Sequence, residues 1–236
     1  ENETALQDFQ KSLALREKAL AQNSDQVKVR QKIAQTLGNI FEVYSINGDA
    51  EKVLAIEKKV LSNYYEIYSL EPENTKNLAD ISVESERMGD FLKDAGRENE
   101  SSENYKQSIK FIDHAIENQK NNLATLEDQT RLVRFLMQKG SLSQKFAYDD
   151  EALQIYGQAA ELAEKIYRAD NSQMYAFNHT SRTHRLIADI YRKKGDWRKV
   201  LENYRFSLNW LEQNKHNPQL DLKNVPYGIA IFSVRE

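Results

Sequence analysis

Residues 184–208, HRLIADIYRKKGDWRKVLENYRFSL, hold the clearest pattern in this chain of 236 residues. Apolar residues before Gly195 recur at helical spacing, and a second apolar run begins five residues after it, at Val200. Glycine readily adopts the positive φ that closes a tight helix C-terminus. The stretch therefore predicts two helices joined by a short turn at Gly195.

The second half of this stretch recurs along the chain. Five segments begin with a small or β-branched residue and end with a small and then usually an apolar residue, and four of them have an aromatic residue at the fifth place. Glu57 replaces that aromatic residue in the second copy. The nearly constant interval between the starts, about 48 residues, makes chance resemblance between amphipathic helices improbable. The copies are ALQDFQKSL (5–13), VLAIEKKVL (53–61), SSENYKQSI (101–109), ALQIYGQAA (152–160) and VLENYRFSL (200–208).

Two kinds of turn-forming residues recur at fixed places relative to these copies. Polar residues typical of helix ends and caps follow about eighteen residues after the start of each copy. A small residue stands five places before each later copy: Gly48, Gly96, Ala147 and Gly195. The period therefore contains two helices of roughly twenty residues each, or about 30 Å apiece.

Composition supports long helices. Apolar residues make up 40% and charged residues 29%, the balance of a soluble globular protein, and only 8 Gly and 3 Pro interrupt the chain. Because the chain has no cysteine, it has no disulfides, no thiolate metal site and no cysteine nucleophile. No apolar run approaches the length of a membrane helix, so we expect no membrane partner and a cytoplasmic location, with the periplasm as the alternative. Because the chain opens at Glu1, we expect it to be part of a longer or processed protein.

These residues resemble the tetratricopeptide repeat. Its pattern positions are matched within 184–208 by Ile187, Ala188, Tyr191, Gly195, Trp197, Val200, Tyr204 and Ser207, and its small positions elsewhere by Gly89, Gly96, Gly140 and Ala147. The period of about 48 residues exceeds the roughly 34 of the common unit and is similar to the long-helix variant of bacterial multidomain proteins. The resemblance implies an all-α fold, an α-α superhelix of stacked antiparallel helix pairs.

Extending the phase over residues 1–236 predicts a single repeat domain of about ten helices. The second helices of the pairs are expected near residues 3–22, 49–70, 98–119, 149–169 and 197–215, and complete pairs begin near Asn23, Pro72, Asn121 and Asn171. A final helix is expected from near Asp221. We predict that its Phe232 packs on Leu208 and Leu211 or meets a second chain, since an exposed apolar helix invites aggregation.

We find no catalytic motif, and we expect neither enzyme activity, nor a cofactor, nor a metal site. The sequence has no H-E-x-x-H, G-x-S-x-G, P-loop or G-x-G-x-x-G motif. His179 and His184 are five residues apart, which does not place them together on one helix face. His184 falls on a packing position of the repeat, so we interpret it as a partly buried, hydrogen-bonded histidine.

The resemblance implies that the first helix of each pair directs one stripe into a concave groove. On the last complete pair this stripe is Asn178, Arg182, Arg185, Asp189 and Arg192, with alternating spacings of four and three residues. The position of Arg182 holds Gln35, Val83 and Arg134 in the earlier pairs. The groove is thus predicted to be acidic toward the N-terminal half and basic toward the C-terminal half, and the candidate ligand-binding residues are Glu42, Glu86, Asp90, Arg134, Arg182, Arg185 and Asp189.

The pattern favours a non-enzymatic protein- or peptide-binding scaffold, serving as the sensor or docking segment of a larger bacterial signalling protein. Gly38 and Glu42 do not supply the Lys and Asn with which some tetratricopeptide domains hold a C-terminal carboxylate. One alternative is a regulatory domain that contacts nucleic acid through the basic region 182–215, although we expect no nucleic-acid partner. Another is a module that only self-associates through its terminal helices.

Overall fold

A computed structural model describes residues 2–22 and 25–220. About 85% of these residues are helical, and no strand occurs among them. The all-α prediction is confirmed. The helices are α1 (Asn2–Ala21), α2 (Gln26–Ile46), α3 (Ala50–Leu70), α4 (Thr75–Asp94), α5 (Glu98–Lys120), α6 (Leu126–Lys145), α7 (Asp149–Ala169), α8 (Met174–Lys193) and α9 (Trp197–Asn214).

The second helices of the pairs, α1, α3, α5, α7 and α9, lie within one residue of the expected bounds. The first helices begin three to five residues after the predicted pair starts, because the polar turn residues remain outside the helix as caps. The Asn74 side chain accepts hydrogen bonds from the backbone N–H groups of Lys76 and Asn77. At α6, Thr125 and Asp128 form a reciprocal capping box. The tenth helix and the contact predicted for Phe232 lie outside the described residues.

The turns between paired helices are confirmed at all four predicted positions. Gly48, Gly96 and Gly195 have φ near +70°, and Ala147 has φ +59°, a conformation that costs a residue with a Cβ about 1 kcal/mol or more. The same helix-ending hydrogen bond recurs in all four turns. The residue that follows the positive-φ residue donates its N–H to the carbonyl of the residue five places before it. These bonds are Asp49 to Tyr44, Arg97 to Leu92, Tyr148 to Ser143 and Asp196 to Tyr191.

The one longer interval in the repeat, between the copies that start at Ser101 and Ala152, also has a structural origin. Helix α5 contains 23 residues, whereas α3 and α7 contain 21 each. The loop after α5, residues 121–125, is one residue longer than the loops after α3 and α7. These three extra residues leave the following helix pair in the same phase.

In the pairs α4–α5 and α6–α7, the small position of the first helix accepts the aromatic ring of the second. A Cβ added at Gly89 would lie 2.6 Å from Cε1 of Tyr105, and one at Gly140 would lie 2.5 Å from Cε1 of Tyr156. Both tyrosine rings are buried. The absence of a side chain at these two glycines therefore allows the paired helices to approach closely.

The chain divides into two compact units, Glu1–Asn118 (unit 1) and Gln119–Glu236 (unit 2). In unit 1 the helices α1 to α4 contact their neighbours along the chain, and in unit 2 the helices α6 to α9 do so, with α6 also contacting α8 directly. The one-domain organisation remains a prediction. Within residues 2–22 and 25–220, no helix is both long and apolar enough to cross a bilayer.

Candidate functional site

The seven predicted groove residues lie on first helices, three in unit 1 and four in unit 2. In unit 1, Glu42 on α2 is exposed, whereas Glu86 and Asp90 on α4 are half-buried. In unit 2, Arg134 on α6 and Arg182 on α8 are exposed, whereas Arg185 and Asp189 on α8 are half-buried. Met137, at the position equivalent to Glu86 and Arg185, is buried. The charge contrast between the two halves of the groove remains a prediction.

Two of the predicted acidic residues also join paired helices. The Tyr105 hydroxyl donates to Asp90 Oδ1 at 2.5 Å. The Tyr204 hydroxyl lies 3.4 Å from Asp189 Oδ1, at the same separation of fifteen residues. Burial and the Asp90 carboxylate raise the pKa of Tyr105 above its ordinary value, so this hydroxyl stays protonated as a donor. A ligand that contacts either carboxylate must therefore compete with a tyrosine of the same pair.

The pair α2–α3 departs from this arrangement. The position that holds Gly89 in α4 and Gly140 in α6 holds Phe41 in α2, and the tyrosine position holds Glu57. In two other pairs, a Cβ added at the glycine of this position would overlap the tyrosine ring. A phenylalanine at this position is therefore incompatible with an aromatic residue opposite it. In this pair the first helix supplies the ring, and the second supplies a carboxylate.

Glu57 is only 1% exposed, and its charge is balanced by an arginine of the next helix. The Arg87 guanidinium on α4 donates to both carboxylate oxygens of Glu57, at 2.9 Å from Nε and 2.7 Å from Nη2. Its Cζ lies 4.3 Å from the centre of the Phe41 ring. A bidentate pair combined with ring stacking compensates for the desolvation of both charges. The same guanidinium also forms an ion pair with Glu84.

Two more carboxylates of α4 have perturbed pKa values: Glu84, which pairs with Arg87, and Asp80, which lies one turn before Glu84 and acts on it. Burial raises the pKa of Glu84 to about 7, with the Arg87 guanidinium opposing this shift and the Glu57 carboxylate adding to it. Burial raises the pKa of Asp80 to about 6. We call Phe41, Glu57, Asp80, Glu84 and Arg87 the Glu57 cluster. Sequence reasoning noted the missing aromatic residue at Glu57 but assigned it no partner, because Arg87 comes from the following repeat.

The basic side of the candidate site contains a histidine that sequence reasoning did not assign to it. Burial, followed by the guanidinium groups of Arg182 and Arg134, lowers the pKa of His179 to about 4, so the imidazole is neutral at pH 7. Arg134 on α6 and Arg182 on α8 therefore act on the same side chain. Packing of α6 against α8 brings together two cations that lie one full repeat apart in the sequence.

His184 has the role expected from its packing position. Its Nδ1 lies 2.8 Å from Asn203 Oδ1, and its ring stacks on Phe206 with the ring centres 3.7 Å apart. Among residues 2–22 and 25–220, no group of three or more histidine, aspartate or glutamate side chains is arranged to hold a metal ion.

Comparison of whole structures identifies solved proteins with the same fold. The chain is similar to BtubC (BKLC) from P. vanneervenii, with a TM-score of 0.60 and 12% identity over 95% of this chain and 78% of that one. MamA matches with a TM-score of 0.51 and 14% identity, over 88% of this chain and 91% of that protein. TTC0263, a thermophilic TPR protein of Thermus thermophilus, matches with a TM-score of 0.50 and 17% identity, over 91% of this chain and 87% of that protein.

The fold is thus a TPR-like helical solenoid, as the sequence predicts. No family model matches the chain, and no curated protein matches it in sequence.

Proposed function

We propose that this chain is a non-enzymatic interaction module that binds a peptide or protein segment along the exposed stripe of its first helices. Helical-repeat proteins present extended surfaces that are suited to such ligands. Arg134 and Arg182 carry the proposal, because they are exposed at equivalent positions of α6 and α8. Within the described residues, no ion pair joins either guanidinium to a carboxylate.

The charges support opposite ligand preferences in the two units. The planar guanidinium groups of Arg134 and Arg182 suit carboxylates, so unit 2 would bind an acidic segment. In unit 1 the exposed Glu42 and the half-buried Glu86 would favour basic residues. Such a module would serve as the sensor or docking segment of a larger bacterial signalling protein.

The test uses the intact chain and a library of displayed peptides with varied charge. Acidic peptides are expected to be enriched, and the affinity of the best peptide is measured by calorimetry against the double variant Arg182→Glu, Arg185→Glu. We expect binding to weaken by roughly a hundredfold, since two favourable charge contacts become repulsive. Arg198→Glu with Arg205→Glu is the matched control, because it makes the same charge change on α9, a second helix. If the groove variant remains folded and binds normally, this stripe is not the site.

Contact with nucleic acid through residues 182–215 has less support, because several of the basic side chains there are already paired. Arg192 Nη2 lies 2.9 Å from Asp189 Oδ1, and Lys215 Nζ lies 2.6 Å from Glu212 Oε2. Lys194 forms an ion pair with Asp150. Affinity for a DNA or RNA oligonucleotide that falls steeply with salt would favour this alternative. Light scattering tests self-association independently.

A further inference from the structure

Three neighbouring polar atoms on α8 lack hydrogen-bond partners within the described residues. They are the ring nitrogens Nδ1 and Nε2 of His179 and the side-chain oxygen Oδ1 of Asn178, and all three are buried. A neutral imidazole has one donor and one acceptor, and buried polar groups are nearly always bonded to protein, water or ligand. The two unpartnered nitrogens of His179 therefore point to a missing partner at this place.

The same face of α8 carries a cation and an aromatic ring. Asn178 and His179 precede Arg182 by four and three residues, so both are neighbours of Arg182 on the helix surface. Tyr175, one turn before His179, is 70% exposed. The ring centres of Tyr175 and His179 lie 6.3 Å apart, and the ring planes are 29° from parallel. The imidazole of His179 thus has Arg182 one turn after it and the Tyr175 ring one turn before it on the surface of α8.

A second cation reaches this place from α6. Arg134 is exposed on α6, which contacts α8, and its guanidinium adds to the effects of burial and of Arg182 that lower the pKa of His179. In unit 1 the same position holds Gln35 and Val83. Two guanidinium groups beside a neutral imidazole leave a local excess of positive charge that is specific to α6 and α8.

We propose that Arg134, His179 and Arg182 form a subsite for a single oxyanion, a carboxylate or a phosphate, supplied by the ligand of unit 2. The two guanidinium groups donate to the anion, and the imidazole donates a third hydrogen bond through its N–H. An anion at this place offsets the two positive charges, so the imidazole takes up a proton more readily when the subsite is filled. The inference rests on the proposed function, since it names the chemical group that the basic stripe recognises.

The experiment follows the imidazole nitrogens of the intact chain by NMR, with sodium phosphate in one arm and sodium acetate in the other, at constant ionic strength. The variant His179→Gln assigns the signals. We expect a saturable shift of the His179 signals and an upward shift of its pKa, while His184 is unaffected. The arm with the lower Kd identifies whether phosphate or carboxylate is preferred.

Arg134→Gln and Arg182→Gln are each expected to raise the Kd about tenfold or more, as loss of a charged hydrogen-bond donor usually does. Arg198→Gln is the control and should leave the Kd unchanged, because this exposed guanidinium lies on α9, outside the stripe of the first helices. The inference is wrong if neither anion shifts His179, if all four histidines shift together, or if the Arg182→Gln variant binds as tightly as the wild type. In each of those cases the proposed function would still hold if the double variant Arg182→Glu, Arg185→Glu lost peptide binding.

Discussion

Glu57 shows how one exchanged pair of residues changes the chemistry of a repeat. Phe41 fills the space that glycine leaves open in two later pairs, and a carboxylate then occupies the tyrosine position. That carboxylate is 1% exposed and would be costly without Arg87, since an unpaired buried charge destabilises a fold by several kcal/mol. The Glu57 cluster is therefore an electrostatic link between α3 and α4, whereas the pairs α4–α5 and α6–α7 have a tyrosine packed on a glycine.

Replacing Arg87 by alanine should lower the free energy of unfolding by about 3 kcal/mol, because Glu57 would remain buried without a cation. The second substitution Glu57→Gln in the same chain should restore part of that loss. Arg97→Ala is the control, since Arg97 pairs with Glu100 at the surface and its replacement should change stability far less. Urea unfolding measures all three. Equal losses for Arg87→Ala and Arg97→Ala would show that burial does not make this pair important.

Glu84 should make the stability of the fold depend on pH. Its pKa is about 7 in the folded chain and lies near its ordinary value of 4.5 in the unfolded chain. Between these values the folded state binds more protons, so its contribution to stability is complete below about pH 4.5 and is lost as pH rises through about 7. Glu84→Gln should flatten this dependence in thermal unfolding measured from pH 4.5 to 8. Glu100→Gln, at an exposed carboxylate, should leave the profile between those pH values unchanged; an unaltered profile for Glu84→Gln would refute the assignment.

At the scale of the helices, the turn glycines and the buried glycines perform different tasks. Gly48, Gly96 and Gly195 permit a positive φ, whereas Gly89 and Gly140 permit a tyrosine ring to approach the helix backbone. The repeat pattern predicts both positions without distinguishing these reasons. Gly157, in the interior of α7, serves neither purpose, because nothing lies within 4 Å of the place where its Cβ would be.

Alanine substitutions at Gly89 and Gly157 should therefore have opposite effects. Gly89→Ala should lower the free energy of unfolding by about 1–3 kcal/mol, since the new methyl group would meet the Tyr105 ring at 2.6 Å. Gly157→Ala should raise it by about 0.5–1 kcal/mol, because alanine restricts the unfolded chain and favours the helix. Chemical denaturation of the two variants side by side is the measurement. Stabilisation by both would mean that the Tyr105 ring can move aside at no cost.

At the scale of the whole molecule, stability in a helical solenoid comes from contacts between neighbouring helices. The contacts of this chain follow that rule within each unit, and the chain divides into its two units after Asn118. A local defect should therefore loosen its own surroundings first.

Gly140→Ala tests this locality, because its added methyl group would lie 2.5 Å from the Tyr156 ring in unit 2. Hydrogen exchange measured by mass spectrometry should accelerate in α6, α7 and α8 and remain nearly unchanged in α2 and α3. Gly157→Ala, on α7 of the same unit, is the control and should not accelerate exchange. A uniform increase along the chain would indicate instead that the two units unfold as one.

The sequence alone was sufficient for the helices, their turns and the exchange at Glu57, because helix periodicity, caps and glycine positions depend on residues within one turn or one repeat. It also placed Arg134 and Arg182 at equivalent positions. The sequence did not show which charged groups are paired, because their partners lie on other helices. Only the packing of α5 on α4 gave Asp90 a tyrosine hydroxyl, and only the contact of α6 with α8 added the Arg134 guanidinium to that of Arg182 beside His179. Burial and pairing depend on distances between residues far apart in the chain, and these distances exist only in the tertiary structure.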